Sequence, residues 1–373
     1  MMKINNLLAL VVCLIIIILT SCNNENDKQL LNEFDNYISN LTQHNVEFKT
    51  VDIDSEITGL HKVILDNADR LLVVDHTSWN IHLLDENGEI KYSIGELGTG
   101  PAEYLQINQV FINDDNQLFI LDKKLQRIVV YQILENNIEP LRTINLPSFG
   151  SLSIQKYYQY EDNSFGIFKE LGSHDNSQYF YSLNNELEIQ DLLLEFDGNE
   201  VESVRVNNSF TAFYEVPFGS KTYFDFYQGQ LIHSKNNKIA FKKFSLVNNT
   251  ISEINENDIP ERKKTDETAD FLSSKFNILI NRYPELQNNL EFRDLLPIFH
   301  NFKVNSEFIY VKILGYESDS QEYILRYNSQ TNEFKKIQTP NSFYLHAVTD
   351  SRLYGILRGN DREDDKIVYA KFR

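Results

Sequence analysis

Cysteine and catalytic motifs are the scarcest features of this sequence. Only two cysteines occur in 373 residues, Cys13 and Cys22, and both lie near the N-terminus. The rest of the chain therefore has no disulfide and no thiol nucleophile. It also contains no Ser-His-Asp ordering, P-loop, G-x-G-x-x-G fingerprint or metal-type Cys/His spacing. These absences favour a protein that binds a ligand over one that catalyses a reaction.

Positive charge and flexible linkers are also scarce. Lysine and arginine number 35 against 54 aspartates and glutamates, which gives a net charge of −19. Such a surface repels phosphate backbones, so nucleic acid is excluded as a partner, and the charge is best explained by solubility. No stretch rich in glycine, serine or proline divides the chain. Because 42% of the residues are hydrophobic, one large domain is predicted.

The N-terminus carries the longest apolar run. Lys3 precedes Leu7–Leu19, which is too short to span a bilayer comfortably and ends in Leu19-Thr20-Ser21-Cys22. The ending resembles a bacterial lipoprotein signal, which implies cleavage before Cys22 and lipidation of its sulfur; a simple membrane-anchor helix is the alternative. We predict a signal peptide at 1–21 and attachment through lipid alone, at the outer membrane or cell surface, with the periplasmic face left open.

A repeat of 47 residues fixes the predicted architecture. Seven positions of the segment 61–84 recur in 108–131, including the aspartates Asp75 and Asp122. The offset holds a third time where Asp115-Asn116 becomes Asp162-Asn163. A period of 40 to 50 residues built from short alternating strands is typical of a β-propeller, with one four-stranded blade per repeat. We interpret the repeated aspartates as caps of loop N–H groups, and metal ligation as the alternative.

Six blades account for nearly every residue of 46–373, so the predicted fold is an all-β, six-bladed β-propeller. The last blade has only three strands of its own, near 343–348, 352–357 and 366–372. The segment Val46–Ile53 alternates as a strand does, and we predict that it completes this blade and closes the ring.

Between Cys22 and this strand, 22–45 is predicted to be a tether followed by a short amphipathic helix. A helical insertion is predicted at 261–297, between blades four and five.

One connector carries a family resemblance. Between blades one and two the chain reads Ser93-Ile94-Gly95-Glu96-Leu97-Gly98-Thr99-Gly100-Pro101-Ala102-Glu103-Tyr104. This resembles the I-G-x-x-G-x-G-P-G-E-Y/F connector of NHL-like six-bladed β-propeller lipoproteins of Bacteroidetes and their relatives, although Ala102 stands where the family usually has glycine. The resemblance implies the fold and the envelope location, not a chemistry.

Long loops are expected on one face of the propeller, where blade connectors and the loops between second and third strands meet. That face is the predicted binding surface. Trp79 lies in such a loop and suits stacking on a sugar or peptide, with inter-blade packing as the alternative. Glu103 is predicted either to accept loop N–H groups or to face a ligand. The insertion 261–297 is predicted to be a lid or docking surface, or a cover for a blade edge.

Three histidines stand at the entry of innermost strands in adjacent blades: His61, His300 and His346. Asn108 is the equivalent position in blade two. Imidazoles directed at one channel suit a metal ion or acid–base chemistry, whereas a local hydrogen bond is the plainer interpretation of each. We predict that these four residues form a polar channel lining.

The sequence thus predicts a monomeric, non-enzymatic, lipid-anchored protein that binds a glycan, a peptide or an envelope protein and uses no cofactor. The alternative hypothesis is a metal-dependent hydrolase or lyase, with Ca²⁺ or Zn²⁺ in the central channel.

Overall fold

The structure is a computed structural model that describes residues 33–372. It leaves out 86, 172–175, 207–209, 217, 256–258, 267, 271, 274–293, 317–320 and 360–363. The N-terminal signal and tether predicted at 1–32 lie outside the described residues. The secondary structure includes a short helix, α1 (Glu33–Asn40), and strands β1 to β26; the described residues 266, 268–270, 272 and 273 are also helical. None of the helices in this described part is long and apolar enough to cross a membrane.

The strands form six four-stranded antiparallel sheets, as the repeat predicts. The first three sheets are β2 (Leu60–Leu65), β3 (Leu71–Asp75), β4 (Ile81–Leu84) and β5 (Ile90–Ile94); β6 (Gln109–Ile112), β7 (Gln117–Asp122), β8 (Arg127–Ile133) and β9 (Ile138–Asn145); and β10 (Leu152–Tyr160), β11 (Asn163–Glu170), β12 (Gln178–Leu183) and β13 (Ile189–Phe196). The next two are β16 (Thr222–Tyr227), β17 (Gln230–Lys235), β18 (Lys242–Ser245) and β19 (Thr250–Glu253); and β20 (Phe299–Val304), β21 (Phe308–Ile313), β22 (Glu322–Asn328) and β23 (Glu333–Thr339).

The sixth sheet combines both ends of the described chain. It contains β24 (Phe343–Val348), β25 (Arg352–Leu357) and β26 (Lys366–Lys371), with β1 (Phe48–Val51) at its outer edge. β1 runs antiparallel to β26, and Phe48 lies opposite Ala370 while Val51 lies opposite Ile367. The backbone groups along the edge of β26 are therefore paired.

The core lies between neighbouring blades. Both middle strands of blade one, β3 and β4, are buried along their whole length, whereas most side chains of the outermost strand β9 are exposed. Leu72, Val74 and Ile81 of blade one pack against Val110 and Ile120 of blade two in a single apolar cluster. The 47-residue repeat therefore places alternating apolar residues on the faces where blades meet.

The repeated aspartates cap loops, as predicted. Asp122 is fully buried, and its carboxylate accepts hydrogen bonds from the N–H groups of Leu105, Lys124 and Leu125 at 2.8, 3.0 and 3.1 Å. Asp75 makes the same set of contacts one repeat earlier, including one from Thr77 N–H at 2.7 Å. Each carboxylate ties the loop after its own strand to the connector that enters the blade.

One element was not predicted. The connector 196–221, between blades three and four, contains a separate hairpin of β14 (Val201–Val206) and β15 (Phe210–Glu215). The alternation there is short and no turn dipeptide marks it, so the sequence was interpreted as an elaborated loop.

Most of the predicted helical insertion, 274–293, lies outside the described residues. Its two ends meet, because Lys263 and Leu295 form an antiparallel bridge and Leu296 N–H donates to the Arg262 carbonyl at 2.8 Å. Leu272 and Leu296 are buried against Tyr316. The two ends of the segment therefore lie side by side.

Helix α1 packs on its own propeller, the more common of the outcomes for such a helix. Phe34 and Ile38 are buried in the apolar cluster of blades four and five. Lys336 donates to the carbonyls of Ile38 and Ser39 at the end of the helix, at 3.1 and 2.6 Å. A cation at this end also complements the helix dipole.

Candidate functional site

The hub of the ring contains a cavity of about 230 Å³. It is lined by the innermost strands β2, β6, β10, β16, β20 and β24. Each blade contributes one polar side chain to its wall: Lys62, Gln109, Lys156, Asp225, Lys303 and His346. A mostly apolar cavity with a few polar side chains is the usual form of a ligand site.

β-Bulges set the direction of side chains at the start of the innermost strands. The pairing register shifts by one residue at His61, Gln155, His300 and His346. Asn108 precedes β6 at the repeat-equivalent position of His61 and Gln155. A bulge adds an unpaired residue and redirects the side chains around it, and bulges are common beside functional sites. All three predicted histidines are therefore bulge residues, and no sequence signal identifies these bulges.

The structure places only His346 of the three histidines in the cavity wall, although His61 is near enough for its charge to act on the pKa of His346. His346 lines the cavity, while His61 is exposed and its ring lies 6.1 Å from the ring of His76. His300 packs edge-on against Tyr344, at 5.5 Å between ring centres. Across the described residues, no three His, Cys, Asp or Glu side chains are arranged to hold a metal ion. The expected convergence of the imidazoles is replaced by the mixed set of six polar side chains.

His346 is held as a neutral ring. Its Nδ1 accepts a hydrogen bond from Val63 N–H at 3.2 Å, which places the ring proton on Nε2. Burial lowers the pKa of His346 to about 3, and the nearby charge of Lys62 acts in the same direction. Burial likewise lowers the pKa of His300 to about 4. Neither ring takes up a proton near neutral pH.

The other predicted site residues take part in local structure. Trp79 has φ +56° and packs against the apolar cluster between blades one and two. Asn108 is exposed, and its Oδ1 accepts a hydrogen bond from Lys123 N–H at 2.9 Å. These contacts leave binding at either residue a prediction.

Glu103 folds back into its own connector. Its Oε2 accepts from Gly100 N–H at 2.7 Å, and Arg127 donates to the Gly100 carbonyl at 2.7 Å. A Cβ at Gly98 would lie 1.9 Å from Oε2, so glycine is needed there to make room for the carboxylate. The structure therefore favours the loop-capping interpretation of Glu103, and ligand contact by this residue stays a prediction.

Sequence reasoning missed the lysines of the cavity. Lys62, Gln109 and Lys156 are separated by one repeat of 47 residues each, so the offset that identified the blades also marked this position. Gln109 is buried and bonds both backbone groups of Tyr157, with Oε1 accepting at 2.6 Å and Nε2 donating at 2.9 Å. The available signal was a polar residue that recurs at the same position of successive innermost strands.

The cavity continues into an aromatic layer and then an acidic mouth. Phe111, Tyr158 and Phe226 contact one another, with ring centres 4.7 to 5.9 Å apart. Beyond them, the turns between first and second strands enclose about 560 Å³. That space is bordered by the acids Asp66, Asp69, Asp114 and Asp350. Burial raises the pKa of Asp69 and that of Asp114. The mouth is thus acidic, whereas the wall of the cavity contains three lysines.

Comparison with known sequences agrees with this architecture. The profile of a family described as 6-bladed beta-propeller, DUF5128, matches residues 20–294, well over half of the chain. The chain belongs to this family. No curated protein matches the sequence significantly.

Several solved structures are similar to this chain. A candidate exported protein from Bacteroides fragilis is 14% identical with a TM-score of 0.53, over 89% of this chain and 98% of that one. At this identity the likeness concerns the fold alone. A streptogramin B lyase is 14% identical with a TM-score of 0.46, over 88% and 98%. Virginiamycin B lyase from Staphylococcus aureus is 10% identical with a TM-score of 0.44, over 89% and 100%.

Proposed function

We propose that this propeller is a lipid-anchored binding protein of the bacterial cell envelope. In this proposal the ligand is a glycan, a peptide or an envelope protein, and it is taken on the face where the blade connectors lie. The protein acts as a monomer, without catalysis or cofactor, and Cys22 carries the lipid.

The observation that carries this proposal is the polar hub. Each of the six innermost strands directs a polar side chain into one cavity, although apolar side chains would pack there at lower cost. Ionisable groups with perturbed pKa values cluster at functional sites, and the pKa values of Lys62, Lys156 and His346 are all lowered, chiefly by burial. The bulges at His61, Gln155 and His300 add further side chains at the entrance to these strands.

The location is supported mainly by the sequence. Leu19-Thr20-Ser21-Cys22 has the form of a lipoprotein signal, and the structural relative from Bacteroides fragilis is named as a candidate exported protein. Both are compatible with export.

We expect that Cys22→Ala releases the protein from the membrane fraction, whereas Cys13→Ala leaves it there. Equal release by both variants would count against lipidation at Cys22.

Binding on the connector face is tested by two changes on that face and one control. His61→Ala removes an exposed imidazole, and replacing 266–292 by a short linker removes the insertion above its base at Lys263 and Leu295. Asp115→Ala changes an exposed residue on the opposite, turn-bearing side. Affinity for immobilised envelope polysaccharides and envelope proteins is measured for each. We expect at least one connector-face change to weaken the affinity several-fold and Asp115→Ala to leave it unchanged. Unchanged affinity in all three variants would contradict the proposed face.

We also infer that β1 closes the ring and stabilises it. Phe48 of β1 packs edge-on against Phe343 at 5.3 Å and joins the apolar cluster of blade six. Phe48→Ala is expected to lower the free energy of unfolding by about 2 to 3 kcal/mol, because this side chain is only partly buried. Its exposed neighbour in the same strand provides the control, Lys49→Ala, with an expected change under about 0.5 kcal/mol. Equal stability of the two variants in urea unfolding would show that β1 is dispensable for closure.

A further inference from the structure

The cavity wall contains three lysines from alternate blades. Lys62 belongs to blade one, Lys156 to blade three and Lys303 to blade five. Blades one, three and five alternate around a six-membered ring, so the three side chains approach the hub from three sides.

Negative charge in this cavity is limited to one residue. Asp225 is the single acid in the described wall, and it is already occupied. Its Oδ1 lies 2.9 Å from Lys303 Nζ, and its Oδ2 accepts from Val304 N–H at 2.8 Å. Lysines therefore outnumber carboxylates three to one here, in a protein whose net charge is −19.

The remaining two lysines are half-buried and have few direct partners. Lys62 Nζ donates to the Val110 carbonyl at 3.1 Å. Lys156 Nζ has neither a hydrogen-bond acceptor nor an ion-pair partner among the described residues. The charge of Asp225 offsets part of the repulsion between these lysines, and an anion that enters the cavity would offset the rest.

Electrostatics within the cavity agrees with this shortage of negative charge. Burial, together with the charges of Lys156 and Lys303, lowers the pKa of Lys62 to about 7. Burial and the charge of Lys303 also lower the pKa of Lys156. The lysines thus repel one another in the unliganded protein.

We propose that the hub is an oxyanion site, in which Lys62, Lys156 and Lys303 together bind a phosphoryl or sulfuryl group. This rests on the proposed binding function and specifies the chemistry of the ligand. Ammonium groups arriving from three sides suit a tetrahedral oxyanion, whereas a planar carboxylate is better matched by the fork of an arginine. Since about 230 Å³ is small, the site takes a free anion or the charged end group of a larger glycan.

The direction of entry follows from the charges at the two ends. Lys62 and Lys156 come directly after the bulges, on the connector side of the hub. The cavity shares the aromatic rings of Phe111 and Phe226 with the mouth bordered by Asp69, Asp114 and Asp350, and these acids disfavour an anion there. The charges therefore favour entry of the anion from the connector side.

Calorimetric titration of the purified full chain tests the site with three probes at constant ionic strength and pH 6.5: inorganic phosphate, sulfate and acetate. We expect phosphate and sulfate to bind with one site per chain and acetate to bind more weakly. Lys156→Gln is expected to weaken phosphate about tenfold or more, since it removes one charged donor. Lys366→Gln, the same charge change at an exposed position of β26, is the control and should leave the affinity unchanged.

Two further measurements separate a binding defect from a folding defect. Without added anion, Lys156→Gln should unfold at the same temperature as the wild type or higher, because it relieves repulsion. Asp225→Asn removes the competing carboxylate and should tighten phosphate binding several-fold. Glucose 6-phosphate and glucose 6-sulfate distinguish a free anion from the charged end group of a glycan. Tighter binding of these sugars than of the inorganic ions indicates a glycan end group.

The proposal is overturned if the wild type binds neither phosphate nor sulfate, or if Lys156→Gln and Lys366→Gln have equal affinity for them. A melting temperature of Lys156→Gln several degrees below the wild type also overturns it, because Lys156 would then be stabilising the unliganded fold. Failure of the ions to bind, with connector-face binding of the larger ligand intact, rejects the oxyanion site alone. If the ions bind as expected but the larger ligand does not bind on the connector face, the broader binding function alone is rejected.

Discussion

Asp122→Ala is expected to lower the free energy of unfolding by about 3 to 5 kcal/mol, among the largest effects of any single substitution in this protein. The carboxylate is fully buried and accepts from three backbone N–H groups, those of Leu105, Lys124 and Leu125. Alanine leaves all three donors without their acceptor. It also disconnects the connector entering blade two from the loop between β7 and β8. Urea unfolding followed by fluorescence measures the loss.

Two matched variants distinguish the cap from a general effect of charge. Asp122→Asn keeps the shape and one acceptor oxygen, so about half of the stability should be retained. Asp115→Ala removes the same charge from an exposed position near the end of the neighbouring strand, and should change stability by less than about 0.5 kcal/mol. Asp75→Ala should repeat the Asp122 result, because its carboxylate makes the equivalent contacts. A small loss in Asp122→Ala would mean that water or a rearranged loop replaces the cap.

The sequence was most informative where the physical constraint repeats. Apolar alternation must recur wherever one blade packs on the next, so the 47-residue offset identified the first three sheets and placed Asp75 and Asp122 correctly, while alternating segments alone indicated the other three. Val46–Ile53 was predicted to be a strand from its own alternation, and the strand found there is Phe48–Val51. The hairpin β14–β15 belongs to a single connector, has no counterpart in other blades and was missed.

The candidate site was predicted only in part, because it depends on where side chains point. His61, His300 and His346 share a sequence position, but each bulge directs its side chain differently, and only His346 reaches the cavity. The lysines were overlooked because a lysine on a short strand is ordinarily solvent-exposed. Only the closed ring reveals that Lys62 and Lys156 face a common interior. A repeat offset applied to polar positions, as well as apolar ones, would have found the pair.

The stability of the unliganded protein is expected to rise with pH above neutrality because of Lys62. Its pKa is about 7 in the folded protein, against 10.5 for an ordinary lysine. Between these values the unfolded chain binds more protons than the folded one, so the free energy of unfolding increases with pH. Below about pH 7 Lys62 is protonated in both the folded and the unfolded state, and its charge destabilises the folded protein to the full extent. Across the whole window the change is on the order of a few kcal/mol.

Lys62→Met isolates this contribution. In a buffer poor in oxyanions, the variant should be more stable than the wild type at pH 6, and the advantage should narrow steadily as the pH approaches 10. Lys366→Met, exposed on β26, should keep the wild-type dependence on pH. Phosphate should flatten the wild-type curve near pH 7, because a bound anion favours the charged form of Lys62 and restores its pKa. A difference between wild type and Lys62→Met that stays constant from pH 6 to 10 would mean that Lys62 is solvated, with its charge unperturbed by the hub.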